Sequence, residues 1–116
     1  MRPEQNKTLQ KLREAMLTLA ASDGELPIGR LLLFLEIAQH QRDGITMAEL
    51  QDKQGIAQCT ASRNVKILSA PITVRGQDEP LEWVKYRRDP RDYRRKILSL
   101  SSKGEQVLED CLGCLK

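Results

Sequence analysis

Hydrophobic residues recur at helical spacing over much of this chain of 116 residues. Spacings of three and four predict a first helix over about residues 3–21, with the stripe Leu9, Leu12, Met16 and Leu19. A second helix is predicted from Pro27 to about residue 41, with an apolar side formed by Ile28, Leu31, Leu32, Leu35 and Ile37. A last helix, which Ser102 can cap, is predicted to carry the stripe Leu108, Cys111, Leu112 and Leu115.

Two shorter helices are predicted in the middle of the chain, joined by a turn that contains a glycine. Thr46 and Glu49 have the spacing of a capping box, and Gly55 is a typical helix end. The next helix, over residues 58–69, has an apolar back formed by Ala61, Val65 and Leu68. Its front presents Cys59, Arg63 and Lys66, flanked by Thr60 and Ser62. Residues 45–69 therefore have the pattern of a helix-turn-helix.

Residues 81–100 have the pattern of a β-hairpin. Strands are predicted at 81–87 and 94–100, with the turn centred near Pro90 and Arg91. This register places Leu81 opposite Leu100 and Trp83 opposite Leu98, so that apolar residues face each other. The preceding residues 70–80 contain two prolines and a glycine, which is typical of a loop.

Composition indicates a single domain over residues 1–116, mainly α with a small β-hairpin and therefore of the α+β class. Aromatic residues make up only 3% of the chain, so aliphatic side chains must build the core. The longest apolar run, Leu31–Leu35, is too short to span a bilayer, and no signal peptide is evident. We therefore expect a cytoplasmic protein without a membrane partner.

Positive charge is concentrated in residues 81–96. This segment holds seven cations and three carboxylates, a net charge of +4, against +3 for the whole chain. The cations are Lys85, Arg87, Arg88, Arg91, Arg94, Arg95 and Lys96. Arginine, which predominates among them, is suited to phosphates and to narrow minor grooves. A bound polyanion explains this density of charge better than an unliganded hairpin does.

No group of residues indicates an enzyme, a cofactor or a metal site. His40 is the only histidine, and the chain has no phosphate-binding glycine loop. Cys111 and Cys114 form a C-x-x-C pair, but one subunit cannot complete a tetrahedral zinc site from these residues. We expect both to be packed in the interior, as is usual for cysteine. A redox role for this pair, or for Cys59 near a helix start, stays open.

Two motifs carry a resemblance to a known family. They are ITMAELQDKQGIAQCTASRNVKIL at 45–68 and RRDPRDYRRKILSLSSKG at 87–104, the second with Asp92-x-Arg94 and a Ser-x-Lys-Gly helix start. With the order of predicted elements, they resemble the winged-helix regulators of the MarR family. The resemblance implies a winged helix-turn-helix with residues 81–100 as its wing. It also implies N- and C-terminal dimerisation helices, residues 1–21 and 102–116.

The resemblance further implies a homodimer that binds double-stranded DNA and regulates transcription, as a repressor more than as an activator, in the cytoplasm near the nucleoid. The implied recognition-helix residues are Gln58, Cys59, Thr60, Ser62, Arg63 and Lys66. On the wing they are Arg87, Arg88, Arg91, Arg94 and Arg95, with Arg91 at the tip and Asp92 as a brace. The implied dimer interface comprises Leu9, Leu12, Met16, Leu19, Leu108, Leu112 and Leu115.

This chain departs from the family pattern in three ways. It is shorter, the segment 70–80 is longer than the family's direct connection to the wing, and Ala57 replaces a capping Ser or Thr. These departures bear on a small-molecule effector, which stays open, more than on DNA binding, and they suit a phage or plasmid relative. Two other functions also stay open: a protein-interaction module, such as an antirepressor or assembly factor, and a plasmid or phage replication or partition protein.

Overall fold

The chain forms five helices and a small antiparallel sheet across residues 2–21, 26–40, 42–69 and 82–116, which a computed structural model describes. This architecture confirms the α+β class. The predicted loop 70–80 and Leu81 lie outside the described residues. In chain order the elements are α1 (Pro3–Ala20), α2 (Ile28–Ala38), β1 (Ile45–Thr46), α3 (Met47–Gln54), α4 (Gln58–Ser69), β2 (Val84–Asp89), β3 (Asp92–Leu100) and α5 (Ser102–Gly113).

The helix-turn-helix begins and ends at the residues that the capping signals predict. The Thr46 hydroxyl accepts a hydrogen bond from the Glu49 backbone N–H at 3.2 Å, and the Glu49 carboxylate accepts one from the Thr46 N–H at 3.4 Å. At the other end of α3, Gly55 has φ of +62° and donates its N–H to the Gln51 carbonyl oxygen. This left-handed conformation is one that glycine adopts without strain. The capping box therefore fixes where α3 starts, and Gly55 turns the chain into α4.

The sheet has the order β1-β3-β2, with both pairs antiparallel. The predicted register of the hairpin is wrong: Val84 pairs with Leu100 and Tyr86 with Leu98. An irregularity between Arg88 and Asp89 accounts for the difference, because β3 advances by four residues there while β2 advances by one. Trp83 therefore precedes β2 instead of pairing with Leu98.

The core is formed where α2, α4, the sheet and the two terminal helices meet. Its largest fully buried side chains include Trp83, Phe34, Leu19, Leu33, Ile37, Ile45, Leu50, Leu68 and Leu98. The rings of Phe34 and Trp83 are tilted against each other with centroids 5.0 Å apart. Pairs of this geometry contribute about 1 kcal/mol beyond the area they bury.

The apolar side predicted for α2 is partly wrong. Leu31 and Ile37 are buried and Leu35 is half-buried, but Ile28 and Leu32 are 73% and 47% exposed. The buried face instead includes Arg30, Leu33 and Phe34. Because α2 is apolar over most of its length, periodicity alone does not determine which side faces the core.

The start of α5 is packed closely against the backbone just before β2. Ser101, one residue before the predicted cap Ser102, accepts a hydrogen bond from the Gly104 N–H at 3.0 Å. A Cβ atom at Gly104 would overlap the carbonyl oxygen of Trp83. This close approach explains why a glycine completes the Ser-x-Lys-Gly helix start. Within the described part of the chain, no helix combines the length and apolar character needed to cross a bilayer.

Candidate nucleic-acid interface

The recognition helix predicted from the sequence, α4, turns an apolar side inward and a polar side outward. Ala61, Val65 and Leu68 are buried, as predicted. On the other side Gln58, Cys59, Thr60, Arg63 and Lys66 are exposed, and Ser62 is half-buried. The helix starts without a side-chain cap, since Ala57 contributes only its carbonyl oxygen, which accepts from the Ala61 N–H at 3.0 Å. All six predicted recognition-helix residues are thus at least partly accessible.

A buried arginine contacts α4 from behind. Arg30 on α2 donates from Nε to the Asn64 Oδ1 at 3.2 Å, and Asn64 lies on α4 directly after Arg63. Neither residue was predicted from the sequence to belong to the site. The signal that could have indicated the contact is an arginine inside the apolar stretch of α2, because a buried guanidinium requires a polar partner.

The wing tip, which we define as residues 88–94, is shaped by short-range hydrogen bonds. The Asp89 carboxylate accepts from the Arg91 N–H at 2.9 Å, which fixes the turn at Pro90 and Arg91. The Asp92 Oδ1 accepts from the Arg94 N–H at 3.0 Å and from its Nε at 3.3 Å. Asp92 is therefore placed as a brace would be, and Arg91 lies in the turn.

The wing cations divide into two groups. Members of the first group contact other residues of the chain. Arg87 donates to the Asp43 carbonyl oxygen at 3.5 Å, and Arg88 donates to the Tyr93 carbonyl oxygen at 3.0 Å. Arg94 pairs with Asp92, and the Lys96 Nζ lies 4.8 Å from the centroid of the Tyr86 ring. In the described ranges, no side-chain hydrogen bond or ion pair is formed by Lys85, Arg91 or Arg95. The first group shapes the wing, and the second presents uncompensated charge.

The wing base, which we define as residues 82–84 and 98–101, is joined to α4 through Trp83. The Trp83 N–H donates to the Leu68 carbonyl oxygen at 2.8 Å, and the Trp83 carbonyl oxygen accepts from the Ser101 N–H at 2.9 Å. One buried residue thus connects the last turn of α4, the first strand of the wing and the start of α5. The relative position of the exposed α4 face and the wing is therefore set by core packing.

The terminal helices expose apolar residues on the surface of the single chain. Leu9, Leu12 and Met16 on α1, Leu112 on α5 and Leu115 after it are exposed. Two more residues expected at the dimer interface, Leu19 and Leu108, pack on the core of the single chain, where Leu19 is fully buried and Leu108 is half-buried. The other five residues stay available to a partner.

The three cysteines are free thiols that differ in exposure, and Cys59 on α4 is exposed. Cys111 is buried, and this burial raises the pKa of its thiol, as does the neighbouring Cys114. Cys114 is half-buried and contacts the Thr18 hydroxyl at 3.6 Å, across from α5 to α1. Among the described residues, no three or more His, Cys, Asp or Glu side chains are grouped as metal ligands would be. Cys111 belongs to the buried core, and Cys114 packs against that core.

Comparison with solved structures identifies the architecture. MarR superimposes with a TM-score of 0.63, covering 97% of this chain and 75% of MarR at 20% sequence identity. The chain has the winged-helix fold of MarR. A complex of S. aureus MepR with DNA gives a TM-score of 0.64 at 18% identity, covering 96% of this chain and 74% of MepR. The transcriptional regulator Tm0710 from Thermotoga maritima gives 0.64 at 20% identity, covering 94% of this chain and 64% of Tm0710.

Comparison of sequences finds no relative of this chain, although comparison of structures does. No protein-family profile matches the chain, and no curated protein matches it in sequence. The fold is therefore shared at 20% sequence identity or less with these three structures. The resemblance drawn from the two motifs is thus confirmed for the fold.

Proposed function

We propose that the chain is a homodimeric regulator of transcription that binds specific sequences in double-stranded DNA, as a cytoplasmic repressor and without catalysis. The observation that carries this proposal is the junction at Trp83. Its backbone hydrogen bonds fix the polar and basic face of α4 and the cation-rich wing relative to each other. MepR, whose fold this chain shares, has been solved with DNA. The same two elements in this chain have the exposure and the charge that DNA contact requires.

In this proposal α4 lies in the major groove and the wing lies along the flanking phosphates and the minor groove. Arg63 is exposed on the front of α4, where its planar fork can meet the O6 and N7 atoms of guanine. Arg91 is exposed in the turn of the wing and has no ion-pair partner among the described residues. Arg63 thus contributes to base preference, and Arg91 contributes to affinity for any sequence.

Fluorescence anisotropy with a random duplex and with a duplex selected from a random pool, each at two salt concentrations, tests this division. We expect Arg91→Ala to weaken binding to both duplexes and to lower the salt slope by about one. We expect Arg63→Ala to lose about 1–3 kcal/mol on the selected duplex and little on the random one. As a control, Arg13→Ala removes an exposed arginine from α1 and should change neither the affinity for either duplex nor the salt slope. Full affinity in both test variants at moderate salt would contradict the proposal.

The dimer is supported by the apolar residues that α1 and α5 leave uncovered. We expect Leu12→Glu to produce monomers in sedimentation experiments, because it places a charge within the exposed stripe. The control Gln10→Glu introduces the same charge at another exposed position on α1 and should stay dimeric. A wild-type chain that sediments as a monomer at micromolar concentration would overturn the dimer without affecting the fold.

A further inference from the structure

Arg30 is a buried charge in a helix that is otherwise largely apolar. It is 6% exposed and lies on the inward side of α2 with Leu31, Leu33 and Phe34. Removing a guanidinium from water is unfavourable unless hydrogen bonds compensate it, and an apolar side chain is the usual occupant of such a position. Its presence therefore calls for an explanation other than core packing.

The Asn64 contact connects this buried charge to the recognition helix. The Arg30 Nε and the Asn64 Oδ1 are 3.2 Å apart and belong to different helices, α2 and α4. Asn64 is half-buried and precedes Val65, at the edge of the apolar stripe of α4. Arg63, the residue before it, faces solvent. A contact at Asn64 thus acts on the part of α4 that carries the proposed base-reading side chain.

The apolar stripe by itself constrains α4 weakly against rotation about its axis. It consists of Ala61, Val65 and Leu68, two of which are small, and hydrophobic burial has no preferred direction. A hydrogen bond between a planar guanidinium and an amide oxygen does have one. A rotation of about 20° moves an atom about 6 Å from the helix axis by about 2 Å. That displacement exceeds what a bidentate contact to a base tolerates.

We propose that Arg30 is a positioning residue that, through Asn64, fixes the rotation of α4 and thereby sets the sequence selectivity of the interface. This inference rests on the proposed DNA-binding function. The Trp83 N–H, which binds the Leu68 carbonyl oxygen, holds the C-terminal end of α4. Arg30 supplies a further polar contact, one turn earlier and through a side chain. Selectivity depends on this contact, whereas phosphate binding by the wing does not.

The test compares Asn64→Leu, which removes the acceptor, with Asn64→Asp, which retains one for Arg30. Each variant is measured for affinity to a selected duplex and a random duplex, and for hydrogen exchange of its backbone amides. For Asn64→Leu we expect the selected-to-random affinity ratio to fall about tenfold, with random-duplex affinity within about twofold of wild type. Amides of α4 should exchange faster while those of α5 are unchanged. Asn64→Asp should restore both properties.

The two readouts separate this inference from the proposed function. If wild type binds DNA with selectivity and Asn64→Leu keeps the same ratio, the positioning role is wrong and the DNA-binding function stands. If wild type binds neither duplex, the proposed function is wrong. Hydrogen exchange then decides on positioning, and equal exchange of α4 amides in wild type and Asn64→Leu overturns it. Uniformly faster exchange in α4 and α5 would indicate a general loss of stability and would also contradict a specific positioning role.

Discussion

The base and the tip of the wing are parts of one hairpin, but different forces hold them. At the base, Trp83 is fully buried against Phe34, and its backbone binds both α4 and Ser101. At the tip, the Arg94 side chain is 92% exposed and Tyr93 is 74% exposed, and the shape depends on hydrogen bonds to Asp89 and Asp92. The base therefore contributes to folding, and the tip presents charge at little cost to folding.

This separation allows a strongly basic surface on a small protein. Charges that repel one another destabilise a compact state most when they are desolvated. At the tip they stay in water, where the Tyr93 carbonyl oxygen orients Arg88 and the Asp92 carboxylate orients Arg94. The core beneath the base contains no wing cation. Substitutions at the base should thus change stability, and substitutions at the tip should change DNA affinity.

The largest effect is expected at Gly104, where α5 meets the base. A methyl group there would overlap the Trp83 carbonyl oxygen, which is part of the backbone and cannot move independently. We expect Gly104→Ala to lower the free energy of unfolding by about 3 kcal/mol in chemical denaturation. Gly113→Ala is the matched control, because it lies in the same helix with no atom within 4 Å of the added carbon. It should be neutral or stabilising by up to about 1 kcal/mol. Equal effects at both glycines would show that the close approach at the base is not what matters.

An intermediate effect is expected at Asp92, where substitutions should change the affinity for DNA but not the stability of the fold. Asp92→Ala and Asp92→Asn both remove a negative charge near the proposed phosphate contacts, but only Asn keeps an oxygen for the Arg94 N–H and Nε. An exposed hydrogen bond contributes about 0.5–1 kcal/mol, so we expect Ala to bind random duplex about threefold more weakly than Asn. Both should unfold at the same denaturant concentration as wild type. Indistinguishable affinities would mean that Asp92 does not brace the wing.

The same contrast explains which features the sequence revealed. The bounds of α3 and α4 were predicted correctly. For α3 this is because Thr46, Glu49 and Gly55 form their hydrogen bonds with residues three or four positions away. The exposed face of α4 followed from its period. The capping position of α5 was wrong by only one residue, Ser101 instead of Ser102. Local hydrogen bonds and local amphipathicity are thus sufficient for the helix-turn-helix.

Features that depend on distant contacts were not predictable in this way. The hairpin register was wrong because Trp83 is placed by Phe34 and Leu68, and the irregularity at Arg88 and Asp89 absorbs the difference. The bond between Arg30 and Asn64 joins residues 34 positions apart. An arginine inside the apolar stretch of α2 indicates that a polar partner is needed, but it does not indicate which residue that partner is. The burial of Leu19 in the core of the single chain is likewise a tertiary feature. The structure of the wing base depends on long-range contacts, whereas the tip could be identified from its high content of arginine and lysine.

The smallest effect is expected at the N-cap of α3, which lies beside the base but is exposed like the tip. Thr46 pairs with Ile97 of the wing, and its hydroxyl and N–H hydrogen-bond to Glu49. These hydrogen bonds lower the pKa of the Glu49 carboxyl below its ordinary value of 4.5. The ionised carboxylate therefore stabilises the fold above that value, and this contribution is lost as the pH falls through the lower folded-state pKa.

Glu49→Gln tests this prediction because it keeps an oxygen for the Thr46 N–H but cannot ionise. We expect wild type to be slightly more stable than Glu49→Gln at neutral pH, since the contact is exposed and well solvated. The difference should shrink in denaturation curves recorded at successively lower pH below 4.5. Thr46→Ala removes the hydroxyl that hydrogen-bonds to Glu49. In this background the effect of Glu49→Gln on stability should depend less on pH. A difference that grows in acid would reverse the sign and show that Glu49 stabilises the helix in its protonated form.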